Sequence, residues 1–219
     1  MDKNKQIAAL FDLDGVLMDT ETQYTVLWEK IGEKYHPEIP DFGNKIKGTT
    51  IKQVYELYFP KQPEVQNTIT KLLGDWESSM EYNYIPGAIS FITDLRNHGV
   101  KTAIVTSSNK NKMRIVYRHH PEIKELVDYI LTAEHFTRSK PFPDCYLLGA
   151  EMCGVIPDQA IVFEDSFSGL EAGRNAKMTV VGLATTNPVE KIERMADIVI
   201  PNFVDYTFNK LMQQIESLP

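Results

Sequence analysis

Short apolar runs alternate with helically spaced apolar residues along much of the chain. Residues 7–11 are apolar and lead directly into Asp12 and Asp14, a pattern typical of a strand buried on both faces of a parallel sheet. Further runs that predict strands fall at residues 102–105, 127–131, 160–163, 179–183 and 197–200. Helical patterns lie between them from residue 83 onwards, which predicts parallel βαβ units with right-handed crossovers.

Residues 18–82 have a different texture. Apolar and aromatic residues recur there at helical spacing in three stripes, and four prolines separate the stripes. We therefore predict an α/β fold with a doubly wound, parallel-sheet (Rossmann-like) core made of residues 1–17 and 83–219. An α-helical cap domain, residues 18–82, is inserted at the edge where the strand carboxyl ends meet, and we expect it to act as a lid.

Composition narrows the functional classes. The chain has 219 residues, of which 42% are apolar and 24% are charged, with a formal net charge of -7. This acidic balance argues against a nucleic-acid partner. Cys145 and Cys153 lie about 12 Å apart along one predicted helix, too far for a disulfide, and indicate a reducing compartment. With no secretion signal or membrane-length apolar run in the sequence, we expect a cytoplasmic protein with no membrane partner.

The candidate chemistry begins at the end of the first predicted strand. Asp12 and Asp14 would repel each other in a crevice of low dielectric, and a metal ion would offset that repulsion. A solvated Asp-x-Asp-Gly turn is the alternative, because these are ordinary turn residues. After the second predicted strand, Thr106, Ser107 and Ser108 offer hydroxyl and amide donors for an anion, although such residues also serve as helix N-caps.

Two later segments add a cation and a second pair of acids. Lys140 stands directly before Pro141 in a loop that Pro141 and Pro143 stiffen, which makes it a candidate phosphate partner rather than a freely solvated lysine. Glu164 and Asp165 end the strongest internal strand, where acids also favour a helix N-terminus. Two acid pairs at strand ends, with no Cys or His nearby, favour a shared Mg²⁺ over zinc.

The order of these motifs resembles the haloacid dehalogenase superfamily of phosphotransferases over essentially the whole chain. The four matching motifs are Asp12-Leu13-Asp14-Gly15, Thr106, Lys140 and Glu164-Asp165. The β-phosphoglucomutase-like branch is the most similar, because residues 11–16, 46–48, 139–141 and 164–166 also match it.

The resemblance implies a mechanism. Asp12 is the nucleophile that forms an aspartyl-phosphate, and Asp14 is the acid and base, which must be protonated when substrate binds; a neighbouring carboxylate would help to protonate it. The resemblance also implies that Thr106 and Lys140 are the remaining catalytic residues. The residues expected to bind phosphate are Leu13, Thr106, Ser107 and Lys140. The expected ligands of Mg²⁺ are Asp12, Asp14 through its main-chain carbonyl, Glu164 directly or through water, and Asp165.

Two positions in the cap distinguish mutase activity from hydrolysis. Mutases of this branch carry a histidine at the position of Tyr24 and an arginine at the position of Ile51, and these departures favour hydrolysis of a small phosphomonoester. A sugar-phosphate mutase, a pyrophosphatase and a phosphoglycolate phosphatase stay open as alternatives. The cap residues expected to face the substrate are Thr20, Glu21, Tyr24, Lys45, Lys47 and Thr49. We expect a small phosphorylated molecule as the only partner of a monomer.

Dehalogenase, phosphonate hydrolase and receiver-domain functions fit less well. A dehalogenase would not need the second acid, Asp14. A phosphonate hydrolase needs a lysine from the cap, which only Lys45 or Lys47 could supply. A receiver domain is much shorter, lacks the helical insertion and carries its phosphorylated acid on a later strand.

Overall fold

A computed structural model describes residues 6–47 and 49–218. Its centre is a six-stranded, all-parallel sheet with the order β3-β2-β1-β4-β5-β6. The strands are β1 (Ala8–Phe11), β2 (Lys101–Val105), β3 (Tyr129–Leu131), β4 (Ala160–Glu164), β5 (Thr179–Leu183) and β6 (Ile198–Ile200). β1 lies between β2 and β4, with Phe11 opposite both Ile104 and Phe163. The predicted fold class is confirmed.

Helices cover both faces of this sheet. They are α5 (Ala88–Asn97), α6 (Lys110–His119), α7 (Ile123–Leu126), α8 (Asp144–Met152), α9 (Phe167–Asn175), α10 (Val189–Ile192) and α11 (Phe208–Glu216), with 3₁₀ turns at Ala133–His135 and Pro157–Gln159. Because strand side chains alternate, Phe11 packs on one face with Phe91 and Phe163, and Leu10 packs on the other face with Tyr146. The two buried faces explain the continuous apolar runs of the strands.

The insertion has an apolar core of its own. Its helices are α1 (Glu21–Tyr35), α2 (Phe42–Lys45), α3 (Ile51–Tyr58) and α4 (Pro63–Ser79), packed around Trp28, Phe42 and Phe59. Met18 and Met80, near the two ends of the insertion, are buried in the cluster on the sheet instead. The helical insertion is therefore tied to the sheet at both of its connections.

Among the strands that begin later than predicted, β3 differs most from its expected range. β3 begins at Tyr129 rather than at residue 127, because Asp128 turns back to the start of β2. The Asp128 carboxylate accepts hydrogen bonds from the Thr102 amide (2.9 Å) and hydroxyl (3.1 Å) and pairs with Lys101. Cys145 and Cys153 are both free, as predicted, and they are buried rather than half-buried. Within the described ranges, no helix has the length and apolarity that a membrane span requires.

Candidate active site

The predicted site residues converge at the carboxyl edge of the sheet. Asp12 follows β1, Thr106 follows β2 and Glu164 ends β4, and these three strands are neighbours. The Lys140 ammonium lies between the acids, with Nζ 2.7 Å from Asp12 Oδ1 and 2.6 Å from Glu164 Oε1. Nζ also donates to the carbonyl of Val105 at 3.2 Å, and the lysine is only 1% exposed. The single positive charge of Lys140 is therefore shared between two buried carboxylates of the site.

Glu164 is held by five hydrogen bonds. Its Oε1 accepts from Lys140 and from the Tyr146 hydroxyl (2.8 Å), and its Oε2 accepts from the Asp165 amide and from the amide and hydroxyl of Ser166. Helix α9 passes so close that a Cβ on Gly169 would lie 1.8 Å from Oε1. This saturation makes Glu164 an anchor for Lys140 and leaves it little capacity to accept further bonds.

Asp165, unlike Glu164, has few hydrogen-bond partners. It is 1% exposed, its Oδ2 accepts from the Thr186 hydroxyl at 2.5 Å, and its Oδ1 is buried without a hydrogen-bond partner among the described residues. Burial, together with the nearby Glu164 and Glu21, raises the pKa of Asp165 well above its usual range. Ligand oxygens of Asp12, Glu164 and Asp165 lie within 4.8 Å of one another. An unpartnered carboxylate oxygen in such a cluster fits a hard divalent cation.

The surroundings of Asp12, the candidate nucleophile, also disfavour its ionised form. Burial raises the pKa of Asp12 to about 8, and Glu164 and Asp14 add to the rise while Lys140 opposes it. A divalent cation beside the carboxylate would lower this pKa and return Asp12 to its ionised form. The fit of the acidic cluster to Mg²⁺ therefore stands on the orphaned Asp165 oxygen and on the charge imbalance around Asp12.

Asp14 is held in its ionised form, contrary to expectation. Its Oδ1 accepts from Thr20 and forms an ion pair with Lys112, and its Oδ2 accepts from the Ser108 hydroxyl at 2.8 Å. Burial favours the neutral acid, but Lys112 and these donors outweigh burial and keep the pKa of Asp14 below its usual value. The expectation that a neighbouring carboxylate would help to protonate Asp14 is wrong for this arrangement, because a cation lies against it.

Lys112 is the main site residue that the sequence analysis missed. Lys112 is 3% exposed and lines a cavity between the sheet and the cap. Its Nζ lies 4.4 Å from the centre of the Tyr24 ring in the cap. One signal was available. Lys112 falls beside Met113 and four residues before Val116, on the apolar face of α6, where a lysine needs a buried acid as partner.

Neighbouring residues in the segment after β2 have different hydrogen-bonding roles. Asn109 caps α6 by accepting from the amides of Asn111 and Lys112, both at 3.0 Å. The buried Thr106 hydroxyl accepts from the Ser108 amide at 3.0 Å, and Ser107 Oγ is buried without a partner among the described residues. Because Asn109 provides the cap, the hydroxyls of Thr106 and Ser107 are not needed for it.

A cavity of about 220 Å³ separates the sheet edge from the cap. Of the predicted cap residues, Glu21, Tyr24, Lys47 and Thr49 line this cavity, and Thr20 is buried against Asp14. Lys45 does not line it and is exposed on α2. Gly48, from the motif at residues 46–48, lies outside the described residues.

The cap residues that line the cavity are both polar and apolar. Tyr24 donates to Glu77 on α4 at 2.8 Å, and Ile51 lies in the wall with other apolar residues. Burial and Asp14 raise the pKa of Glu21 to about 7. The predicted phosphate-binding residue Leu13 has its side chain buried in the apolar cluster on the sheet, so only its main chain can take part.

Comparisons with known proteins agree with this geometry. The haloacid dehalogenase-like hydrolase family matches residues 9–183. A β-phosphoglucomutase from Mycobacterium bovis is 27% identical over 90% of this chain and 90% of its own. Hexitol phosphatase A from Escherichia coli is 27% identical over 92% of this chain and 93% of its own. The crystal structure of a haloacid dehalogenase-family hydrolase from Entamoeba histolytica superimposes with a TM-score of 0.80 at 22% identity, covering 97% of this chain and 100% of the other.

The fold and the site define a phosphohydrolase-class enzyme. The chain belongs to the haloacid dehalogenase-like hydrolase family, in its β-phosphoglucomutase-like and phosphatase branch.

Proposed function

We propose that this enzyme is a Mg²⁺-dependent phosphatase that hydrolyses a small phosphomonoester through an aspartyl-phosphate on Asp12. The observation that carries the proposal is the arrangement at the end of β1. The Asp12 carboxylate is paired with Lys140, lies in the cluster that contains the orphaned Asp165 oxygen, and opens onto the cavity. A nucleophile, a cation and a divalent-metal cluster at one point suit phosphoryl transfer.

In the first step, an Asp12 oxygen attacks phosphorus and the bond to the ester oxygen breaks. Asp14 donates a proton to that oxygen as it leaves. The ion pair with Lys112 opposes protonation of Asp14, so this step requires the pair to weaken when the phosphoryl group binds. Lys140 and the hydroxyls of Thr106 and Ser107 are placed to stabilise charge on the phosphoryl oxygens.

In the second step, water attacks the phosphorus of the aspartyl-phosphate and releases phosphate and the free Asp12 carboxylate. Ionised Asp14 removes the proton from this water. The contacts of Asp14 with Lys112, Thr20 and Ser108 favour this form. The site as it stands is therefore better prepared for hydrolysis of the intermediate than for protonation of the leaving group.

The residues that would hold Mg²⁺ are Asp12, Asp165 and the main-chain carbonyl of Asp14, with Glu164 supporting them through Lys140 or as a further ligand. When bound, the ion supplies positive charge that offsets repulsion between the Asp12 carboxylate and the phosphoryl group. The chemistry of the donor set supports magnesium, because every donor is a hard oxygen.

We further propose that residues 18–82 act as a cap domain that selects the substrate, a sugar or polyol phosphate. Relatives named for phosphorylated carbohydrates and for a hexitol phosphate support this class. Hydrolysis is favoured over mutase activity because Tyr24, bonded to Glu77, and Ile51 line the cavity at the positions of the mutase histidine and arginine. The buried free thiols fit a cytoplasmic enzyme, and we expect a monomer.

A panel of phosphate esters tests the proposal. Hexose phosphates, hexitol phosphates, glycerol phosphate, phosphoglycolate and pyrophosphate are incubated with the enzyme, with Mg²⁺ or with EDTA, and released phosphate is measured. We expect Mg²⁺-dependent release from at least one sugar or polyol phosphate. Release from pyrophosphate or phosphoglycolate alone would replace the substrate class. Isomerisation of β-glucose 1-phosphate without phosphate release would establish the mutase instead.

A further inference from the structure

The loop that follows β5 reaches the acidic cluster although no sequence motif marks it. Its residues Thr185, Thr186 and Asn187 are half-buried, and their side chains all bond to groups in or beside the site. The first residue of the loop, Ala184, continues the sheet by donating to the carbonyl of Ile200 at 2.9 Å. The loop is therefore fixed to the sheet at its base, next to β4 and the cluster.

The bonds of this loop concentrate on Asp165. The Thr186 hydroxyl donates to Asp165 Oδ2 at 2.5 Å, and Asn187 Nδ2 donates to the Asp165 main-chain carbonyl at 2.9 Å. Thr185 donates to the carbonyl of Gly15 at 2.5 Å. Gly15 has a φ of +76°, and a Cβ there would lie 2.2 Å from Asp165 Oδ2. Asp165 is thus clamped between the loop and a glycine that leaves room for its carboxylate.

The two carboxylate oxygens of Asp165 have different surroundings. Oδ2 is occupied by Thr186, whereas Oδ1 is buried with no partner in the part of the chain that the structure describes. We propose that Thr186 is a positioning residue for the divalent cation, because its hydroxyl fixes the Asp165 carboxylate and reserves Oδ1 as a metal ligand. The inference rests on the proposed Mg²⁺ dependence. Residues that orient a metal ligand in this way change metal affinity by about 10- to 100-fold when they are replaced.

The test is direct binding of Mg²⁺ to the full chain, measured by isothermal titration calorimetry without substrate. We expect Thr186→Val to raise the Kd for Mg²⁺ by about tenfold or more, because the carboxylate loses the hydroxyl donor that fixes its Oδ2. Thr186→Ser keeps the hydroxyl and should restore binding to within about threefold of the unchanged protein. Circular dichroism spectra and melting temperatures in EDTA show whether each variant folds.

Thr102→Val is the matched control. Thr102 also donates its hydroxyl to a carboxylate, that of the half-buried Asp128, but at the start of β2 and therefore at the opposite end of the strand from the site. Its Kd for Mg²⁺ should be unchanged. If the unchanged protein does not bind Mg²⁺ saturably, the metal part of the proposed function fails. If the unchanged protein binds but Thr186→Val binds equally well, the role of Thr186 is overturned while the proposed function stands.

Discussion

The two walls of the cavity are built differently. On the sheet side, polar side chains from separate strand ends, a loop and a helix fix one another. Lys140 in the loop before α8 fixes Asp12 and Glu164, and Lys112 on α6 fixes Asp14. On the cap side, polar groups bond within the cap: Tyr24 donates to Glu77, and Thr49 donates to the carbonyl of Ile46. The sheet wall is therefore preorganised for one chemistry, whereas the cap wall depends mainly on contacts within the cap and touches the sheet wall at few points.

Thr20 is the point where the two walls meet. It stands at the start of α1, and its buried hydroxyl donates to Asp14 in the sheet wall. Lys112 makes a second connection, because it pairs with Asp14 and lies under the Tyr24 ring. The acid and base of the mechanism is thus the sheet-wall residue most exposed to changes in the cap.

The largest effect is expected from the nucleophile. Asp12→Asn keeps the shape of the side chain but removes the attacking carboxylate oxygen, so turnover should fall by at least about 10⁴-fold. Released phosphate with the best substrate of the panel is the measurement, and the melting temperature serves as the folding control. Substantial residual turnover would remove Asp12 from the role of nucleophile.

Lys112 tests whether a core cation controls Asp14. Lys112→Met should lower kcat by about 10²-fold, since Asp14 loses the partner that holds it in place and ionised for attack by water. Lys110→Met, an exposed lysine two residues earlier on α6, is the matched control and should retain full activity. An unchanged kcat in Lys112→Met would mean that Thr20 and Ser108 suffice to hold Asp14.

The cap should affect substrate binding more than chemistry. Lys47 lines the cavity and Lys45 does not, although both were predicted to face the substrate. Lys47→Ala should raise KM by about three- to tenfold with little change in kcat, whereas Lys45→Ala should change neither. The reverse order of effects would show that α2 presents its other face to the substrate.

The smallest effect is on stability, and it has a defined pH dependence. Burial raises the pKa of Asp12 to about 8 and that of Asp165 well above its usual range. Between about pH 4 and pH 8 the folded chain therefore holds protons that the unfolded chain releases, so the stability of the metal-free protein falls as pH rises.

Melting curves in EDTA at pH 6 and pH 8 check this sign. We expect a lower Tm at pH 8, a smaller difference with saturating Mg²⁺, and a Tm about 2–4 °C higher at pH 8 in Asp165→Asn, which removes one buried charge at a gain of about 1 kcal/mol. A Tm that rises from pH 6 to pH 8 in EDTA would contradict the repulsion inferred among these acids.

The sequence predicted which residues come together at the carboxyl edge of the sheet, but not the contacts that they make with one another. Asp12, Thr106 and Glu164 could be placed together because the carboxyl ends of neighbouring parallel strands share an edge. Lys140 was expected near phosphate, but nothing in its loop indicates that its ammonium reaches both Asp12 and Glu164. That reach depends on the packing of α8 against β1 and β2, which no local pattern specifies.

The misses have a common cause. The protonation of Asp14 was misjudged because Lys112 is about a hundred residues away in sequence and its position on the apolar face of α6 was overlooked. Thr186 follows an ordinary strand in an ordinary loop, so only the folded chain shows its bond to Asp165. In the cap, helical spacing predicted the helices but gave no basis for choosing between Lys45 and Lys47.

The most direct test of the central claim is to trap the phosphorylated enzyme. Asp14→Asn should slow hydrolysis of the intermediate, because no base activates the water, and the phosphoenzyme should then accumulate during turnover of an activated aryl phosphate, whose leaving group needs no proton. After an acid quench and proteolysis, mass spectrometry locates the phosphoryl group. We expect the label on Asp12 alone; a label on another residue, or phosphate release with no labelled peptide at any time, would contradict the role of Asp12 as nucleophile.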